Sequence, residues 1–455
     1  MTNDTFLSNL EAHFQLNPAT ARMLIVGLGS TGYSAAQFLQ NTPIKFAVID
    51  SRRNPPLIDS LREQMPDVPV FSGGFDQGAF DVATHLLVSP GVSLNEKAIA
   101  KAMQAGVTIM SDIDLFACAT QKPIIAITGS NGKSTVTTML GDMGNAAGIK
   151  TAIGGNLGTP ALDLLQQNAD LYVLELSSFQ LERTTALNAA VATVLNVSPD
   201  HLDRHDGMDG YAQEKQRIFR GNGAMVLNAD DAMVMAMVEQ NRTYLTFSTE
   251  QAADFNLHRH GNSYQLRHGQ QLLLNADDLK LEGKHNLANA LAALALGHAA
   301  GLDLKAMGEA LKKFKGLPHR MQRVAESHGI RWINDSKATN IGACVAALQG
   351  YDRKVILIAG GDAKGADMTE LAPIVEQKTK AVVLIGKDAQ LIDQAINHCV
   401  TTRFAQNMKQ AVKIAAELAE NGDSVLLSPA CASLDQYKSY ADRGNQFAEA
   451  VLELS

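Results

Sequence analysis

Short apolar, largely β-branched runs recur along this chain, each followed by a glycine or polar turn and then a stretch with helical spacing. They are MLIVG (23–27), FAVID (46–50), HLLVS (85–89), IIAIT (124–128), LYVLE (171–175), ATVLNV (192–197), KVILIAGG (354–361), AVVLIG (381–386) and SVLLS (424–428). A strand with one wet face alternates polar and apolar residues. Runs this continuous predict strands buried on both faces, as in parallel sheets covered by helices.

Glycine-bearing turns at Gly27, Gly129 and Gly360 open three separate series of such units. The fold class is therefore α/β with three domains, which suits 455 residues. The expected spans are 1–111, 112–316 and 317–455. The outer two are expected to be Rossmann-like, and the central one a mostly parallel sheet of the phosphate-loop ATPase type. The stretch 244–281 alternates polar and apolar residues between Gly-containing turns, which predicts a small antiparallel β insertion in the central domain.

Charge and cysteine spacing narrow the functional classes. The net charge is −8 with no run of Lys and Arg, so nothing predicts a nucleic-acid partner. Cys118, Cys344, Cys399 and Cys431 lie far apart without metal-ligand spacing, which predicts reduced thiols in a cytoplasmic chain. The N-terminus lacks the pattern of a signal peptide, and no apolar run is long enough to span a bilayer. LANALAALALGHAAGL (287–302) carries Asn289 and His298 and reads as a buried helix.

Gly27-Leu28-Gly29-Ser30-Thr31-Gly32 matches G-x-G-x-x-G after a strand, and Asp50 ends the next strand. Such a turn brings backbone N–H groups and a helix N-terminus up to a diphosphate. A dinucleotide, another nucleotide diphosphate or a merely structural turn all satisfy it.

IIAITGSNGKSTVTTML (124–140) is more specific. Gly129, Gly132, Lys133, Ser134 and Thr135 sit between a strand and a helix start. Backbone N–H groups there cradle phosphates, Lys133 reaches them, and Ser134 can ligate magnesium. The loop is shorter than the general pattern, whose first glycine would fall at Ile127. Glu175 closes an apolar strand at the end where open α/β sheets bind ligands. Asp200, His201 and Asp203 follow another strand. Lys215 reads, on spacing alone, as an exposed helix lysine.

Taken in order, TGSNGKST (128–135), GGNLG (154–158), LELSSFQLE (174–182), LNVSPDHLDRH (195–205), GKHNLANALAA (283–293), GLPHRM (316–321), NDSKATN (334–340), GGDAKGAD (360–367) and SPACASLDQY (428–437) resemble the Mur ligase family across essentially the whole chain. NDSKATN and SPACASLDQ are similar to the members that add D-glutamate. The resemblance implies an ATP-dependent amide ligase of peptidoglycan precursor synthesis. It would join the carboxylate of UDP-N-acetylmuramoyl-L-alanine to the amine of D-glutamate through an acyl phosphate and a tetrahedral intermediate. It further implies a cytoplasmic monomer with no membrane partner, two Mg2+ ions, and a CO2-derived carbamate on Lys215.

By the same resemblance Lys133, Glu175, His201 and Lys215 are the catalytic positions, and Ser134, Glu175, His201 and carbamylated Lys215 hold metal. Gly129, Ser130, Asn131, Gly132, Lys133, Ser134, Thr135, Asn286, Asn289, Arg320 and Asp335 match ATP-binding positions. Gly29, Ser30, Thr31, Asp50, Ser51, Ser89, Gly91, Asn156, Ser177 and His201 match UDP-sugar positions. Lys337, Thr339, Asp362, Lys364, Ser433, Leu434 and Tyr440 match D-glutamate positions. Two departures stand out: Tyr440 replaces an aromatic of the Phe type, and Ser30 replaces a larger apolar residue. With these groups split among three domains, closure of the last over the central one is expected to assemble the site. Rival readings are the same chemistry with another amino acid, an NAD-dependent oxidoreductase built on the first glycine turn, and a phosphate-loop ATPase that needs no UDP-sugar.

Overall fold

The computed structural model describes residues 3–200, 204–239, 241–261, 263–281, 283–351, 353–396 and 399–454. Three sheets follow one another along the chain. The first is parallel throughout, in the spatial order Val70–Ser72, Lys45–Asp50, Arg22–Val26, His85–Val88, Thr108–Met110. The order reverses beside Arg22–Val26, so the crevice beyond the carboxyl ends of that strand and its neighbours is the natural ligand position.

The central sheet has nine strands: Gln271–Asn275, Ser263–His268, Phe255–His260, Tyr244–Ser248, Ala224–Asn228, Val191–Val194, Ile124–Thr128, Leu171–Glu175 and Thr151–Gly155. The last seven of these run parallel. The expected antiparallel unit within 244–281 lies at the edge of that sheet and continues it. Tyr244–Ser248 pairs parallel with Ala224–Asn228, and antiparallel pairing begins only with Phe255–His260 against Ser263–His268. Alternation reports a half-exposed strand but not the direction of its partner, hence the difference.

The third sheet runs Gln322–Ser327, Ile330–Asn334, Ser424–Leu427, Val355–Gly360, Thr379–Ile385, Thr401–Phe404, with only the first strand antiparallel. The apolar runs are the inner strands. Ile124–Thr128, Leu171–Glu175 and Val355–Gly360 are buried at every position. Each buried Ile, Val or Leu side chain there contributes about 1.5–3 kcal/mol of transfer free energy.

Helix Lys284–Ala299 is buried over nearly all its circumference and packs on helix Lys133–Ala146 and the strands beneath it. Among the described residues no helix is long and apolar enough to cross a membrane.

Candidate active site

Strand Ile124–Thr128 delivers the chain into a tight turn whose two glycines have positive φ, +147° at Gly129 and +85° at Gly132. A Cβ at Gly132 would lie 2.4 Å from Asn289 Oδ1, so the loop also needs glycine for space. The Ser130 and Asn131 N–H groups donate to Asn196 O (2.9 Å) and Asn196 Oδ1 (2.8 Å), which ties the turn to the end of the neighbouring strand. Helix Lys133–Ala146 then starts with its free N–H groups at the turn. Together they form an anion cradle.

Two lysines converge on this turn. Lys133 Nζ donates to Gly129 O (2.8 Å) and Ser130 O (3.0 Å), and Lys215 Nζ to Gly129 O (2.9 Å). Lys215 is not a surface residue. Helix Gly207–Gln216 turns Tyr211 and Lys215, four positions apart, to one buried face, with Nζ 4.3 Å from the Tyr211 ring centre. Burial, and then the neighbouring Lys133 charge, hold its ammonium well below the usual lysine range. Burial also lowers Lys133.

Glu175 is 3% exposed. Its Oε1 accepts from Asn156 Nδ2 at 2.8 Å, while Oε2 has no hydrogen-bond donor among the described residues. A buried carboxylate oxygen without a donor is costly unless a cation meets it. Ser134 Oγ accepts from Arg320 Nη2 at 2.8 Å, so the segment leading into the third sheet reaches the phosphate turn directly. Asn340 Nδ2 bridges the same two regions by donating to Asp200 Oδ2 (3.3 Å).

Beside the turn lies a cavity of ≈ 580 Å3 lined by Asn131, Gly132, Thr135, Asn286, Asn289, Arg320, Asp335 and Lys337, among others. Its walls come from the central and third sheets. Asp335 is buried, accepting from Met321 N (3.2 Å) and Ser428 Oγ (3.0 Å), and burial pushes its carboxyl up to about 7.

A second cleft of ≈ 540 Å3 joins the first and central sheets. Gly29, Ser30, Thr31, Asp50, Ser51, Ser89, Gly91 and Asn156 all line it. Ser177 stands one step back, accepting the Gln180 N–H in a capping box while Gln180 lines the cleft. The Asp50 carboxylate is already engaged: Leu28 N–H donates to Oδ2 (2.7 Å), and Arg52 donates from its N–H (2.8 Å) and Nε (2.9 Å) to Oδ1 and from Nη2 (2.7 Å) to Oδ2. Burial alone would raise its pKa, but these bonds hold it below the ordinary carboxylate value. Asp50 therefore fixes the glycine turn and aims Arg52, a cleft residue that the sequence reading passed over.

The third group is more dispersed. Lys337 Nζ sits 4.0 Å from the Tyr440 ring centre, and the Thr339 N–H donates to Lys337 O (2.8 Å). Asp362 accepts the Lys364 N–H (2.9 Å) and exchanges backbone bonds with Ala432, beside buried Ser433. Leu434 is 70% exposed. The centre of this group is Arg443, fully buried and overlooked from sequence. It donates to Ser336 Oγ (2.9 Å), Ser336 O (2.8 Å), Cys431 O (3.1 Å), Gly360 O (3.4 Å) and Ala432 O (3.4 Å). No sequence pattern marks a side chain most of whose partners are backbone carbonyls. Gln180, by contrast, was legible as the end of an S-x-x-Q capping box. His201 lies outside the described residues.

Comparison with known proteins agrees with this geometry. Family models match in order: "Mur ligase MurD-like, N-terminal domain" at 21–111, "Mur ligase middle domain" at 127–297 and "Mur ligase, glutamate ligase domain" at 319–431. The chain belongs to the Mur ligase family. Among its relatives is the UDP-N-acetylmuramoylalanine–D-glutamate ligase of Methylococcus capsulatus, 51% identical over 96% of this chain and 95% of the relative. The Pseudomonas aeruginosa protein of the same name is 50% identical over 95% and 98%. The fold is similar to the solved structures of a UDP-N-acetylmuramate-alanine ligase from Thermotoga maritima (TM-score 0.60, 18% identity, 95% of this chain and 100% of that one) and of MurF from Acinetobacter baumannii (0.61, 17%, 98% and 98%).

Proposed function

We propose that this chain joins D-glutamate to UDP-N-acetylmuramoyl-L-alanine at the expense of ATP, as a step of peptidoglycan precursor synthesis. The observation that carries the reading is the identity of about half, over nearly the whole chain, to relatives named for that ligation.

The chemistry follows from the difficulty of the bond. A carboxylate is a poor electrophile. Its oxygen attacks the γ-phosphorus of ATP, the bond to ADP breaks, and an acyl phosphate results. The D-glutamate amine then attacks the acyl carbon, its nitrogen gives up a proton to solvent, the tetrahedral intermediate collapses, and phosphate leaves with the C–O electron pair. Lys133, the N–H groups of the phosphate turn and Arg320 hold the triphosphate charge while it shifts. Thr135, Asn286, Asn289 and Asp335 form the remaining wall for the nucleotide. The cleft of Gly29, Asp50, Arg52 and Ser89 takes the UDP-sugar, with Asn156 and Ser177 towards its alanine end. Lys337, Ser433 and Tyr440 face the incoming amino acid.

The unpaired Glu175 oxygen and the Ser134 hydroxyl fit a hard divalent cation, for which His201 is a further ligand by sequence. Magnesium held there would screen the two anions from each other and polarise the transferred group. Lys215 completes the set once carbamylated. Burial favours its neutral amine, the nucleophile that CO2 requires. A C–N bond forms, a C–O π pair moves to oxygen, and the amine proton leaves to solvent. The product is an anionic oxygen ligand beside Lys133 in place of a second cation. Dependence on ATP and free thiols suits a cytoplasmic enzyme, and one chain supplies every group invoked, so the reading takes it as a monomer.

The test is ADP release with UDP-N-acetylmuramoyl-L-alanine, ATP, magnesium and single amino acids. Turnover with D-glutamate alone supports the reading. Turnover with another amino acid keeps the mechanism and changes the specificity, and ATP hydrolysis indifferent to the UDP-sugar sinks it.

A further inference from the structure

The joint between the first and central sheets holds an arginine that the mechanism above does not use. Arg183 follows helix Ser178–Leu181, and its side chain is fully buried. Its Nη1 donates to Ser89 O (2.7 Å), Val92 O (3.1 Å) and Val88 O (3.4 Å). The first two carbonyls belong to the turn of Ser89, Pro90, Gly91 and Val92 that lines the ≈ 540 Å3 cleft, and the third to the last residue of the strand that feeds it. Its Nη2 donates to Glu182 at 2.8 Å, and Nε has no acceptor among the described residues. A buried guanidinium set on three carbonyls of another sheet is an expensive way to fill space. What it gains is a charge-assisted, directional clamp.

The clamp sits at a defined point on the chain. Strand Leu171–Glu175 ends on Glu175, Ser177 and Gln180 form the capping box with Gln180 in the cleft, and Arg183 comes one turn later. Beyond it, the Thr185 and Ala186 N–H groups both donate to Asp114 Oδ1 at 2.7 Å, and Thr184 Oγ1 meets Ser111 Oγ at 2.9 Å. Those bonds fasten the far side of the joint, whereas Arg183 alone among these residues grips the cleft turn. That turn is itself held to the first glycine motif, with Ser89 Oγ donating to Gly27 O at 2.9 Å.

We propose that Arg183 is a positioning residue: it fixes the turn at 89–92, and with it the nucleotide-sugar, in register with the strand end that presents Glu175. The inference rests on reading the cleft as the UDP-sugar site. It assigns to a backbone clamp the task of bringing the alanine carboxylate to the γ-phosphate, where a displacement of about 1 Å costs orders of magnitude in rate.

Steady-state kinetics and peptide-resolved hydrogen–deuterium exchange on the full chain test it with Arg183→Met and Arg183→Lys. The Met variant should raise KM for UDP-N-acetylmuramoyl-L-alanine about tenfold and leave those for ATP and D-glutamate within about twofold. It should also exchange faster across 89–92 in the ligand-free protein. The Lys variant keeps the charge, reaches fewer of the three carbonyls, and should fall between. A filler of space would lower the melting temperature and the active fraction with KM unchanged, and that result overturns the proposal, as does an equal rise in all three KM values. If the Met variant does not fold, a wild-type KM in the Lys variant is the overturning result. If the wild-type protein turns over no UDP-sugar, the ligase reading fails on its own, and unchanged exchange across 89–92 then overturns the clamp separately.

Discussion

Arg320 Nη2 donates to Ser134 Oγ at 2.8 Å across the boundary between the central and third sheets. In the ligand-free protein the guanidinium holds the hydroxyl that a metal–nucleotide complex would engage. Under the proposed function it is also a fixed cation beside the developing γ-phosphate charge. Replacing it by Met should lower kcat by about a hundredfold, the usual cost of one preorganised donor to a charged transition state. Arg320→Lys should recover only part of this, because the fork is lost. ADP-release kinetics decide the matter, and a Met variant within a few-fold of wild type removes Arg320 from the reaction.

Lys215 gives a spectroscopic prediction. Protein equilibrated with 13C-bicarbonate should show one slowly exchanging carbamate carbon by NMR, absent from Lys215→Arg. Burial holds the amine below the usual lysine range, which favours the neutral form that carries the carbamate, so the signal should fade as acid protonates the amine. An identical signal in the Arg variant would assign it elsewhere.

Gly132 combines positive φ with a 2.4 Å approach to Asn289. Gly132→Ala should cost about 1–3 kcal/mol of stability from backbone strain alone, and it should push Asn289 out of the nucleotide cavity. Urea unfolding and ATP titration report the two effects. Wild-type affinity in a stable variant would mean the loop relaxes without using Asn289.

How far the sequence foretold this site depends on what each residue bonds. The strand runs and the phosphate turn were plain because apolar continuity and glycine spacing are one-dimensional signals. Lys215 was not, since a lysine four residues after Tyr211 looks the same on a wet face as on a buried one, and only the family resemblance marked it. Asp50 lines the cleft, but its engagement of Arg52 and the Leu28 N–H was invisible in the sequence, so Arg52 was missed. Arg183 and Arg443 bind carbonyls from distant segments, and a carbonyl is present at every position of every sequence.

Asp112 makes stability depend on pH in a direction opposite to an ordinary carboxylate. It is buried with Oδ1 lacking a partner among the described residues, and burial raises its pKa to about 7. Between the usual carboxylate range, about 4, and pH 7 the folded state keeps a proton that the unfolded chain has released. Stability from this group is therefore full in mild acid and is lost as pH rises through that window. Asp112→Asn should flatten the melting-temperature profile there, leaving the slope from the other carboxyls that burial raises, Asp114 and Asp335 among them. Parallel profiles for variant and wild type would refute the assignment.

Arg52 is half exposed, and when its side chain is removed buried Asp50 keeps the Leu28 and Arg52 backbone N–H groups as donors, so the loss to folding is about 1 kcal/mol. Arg52→Ala should accordingly leave the melting temperature nearly unchanged while raising KM for the UDP-sugar about tenfold. A large loss of stability with normal KM would make it a structural residue.

Arg443 ties together segments around Ser336, Gly360 and Cys431 that are widely separated along the chain. A pocket wired to one hub does not drift one loop at a time. Under the proposed function, retuning this protein for a different amino acid therefore calls for transplanting those three segments together with their arginine, as a single cassette.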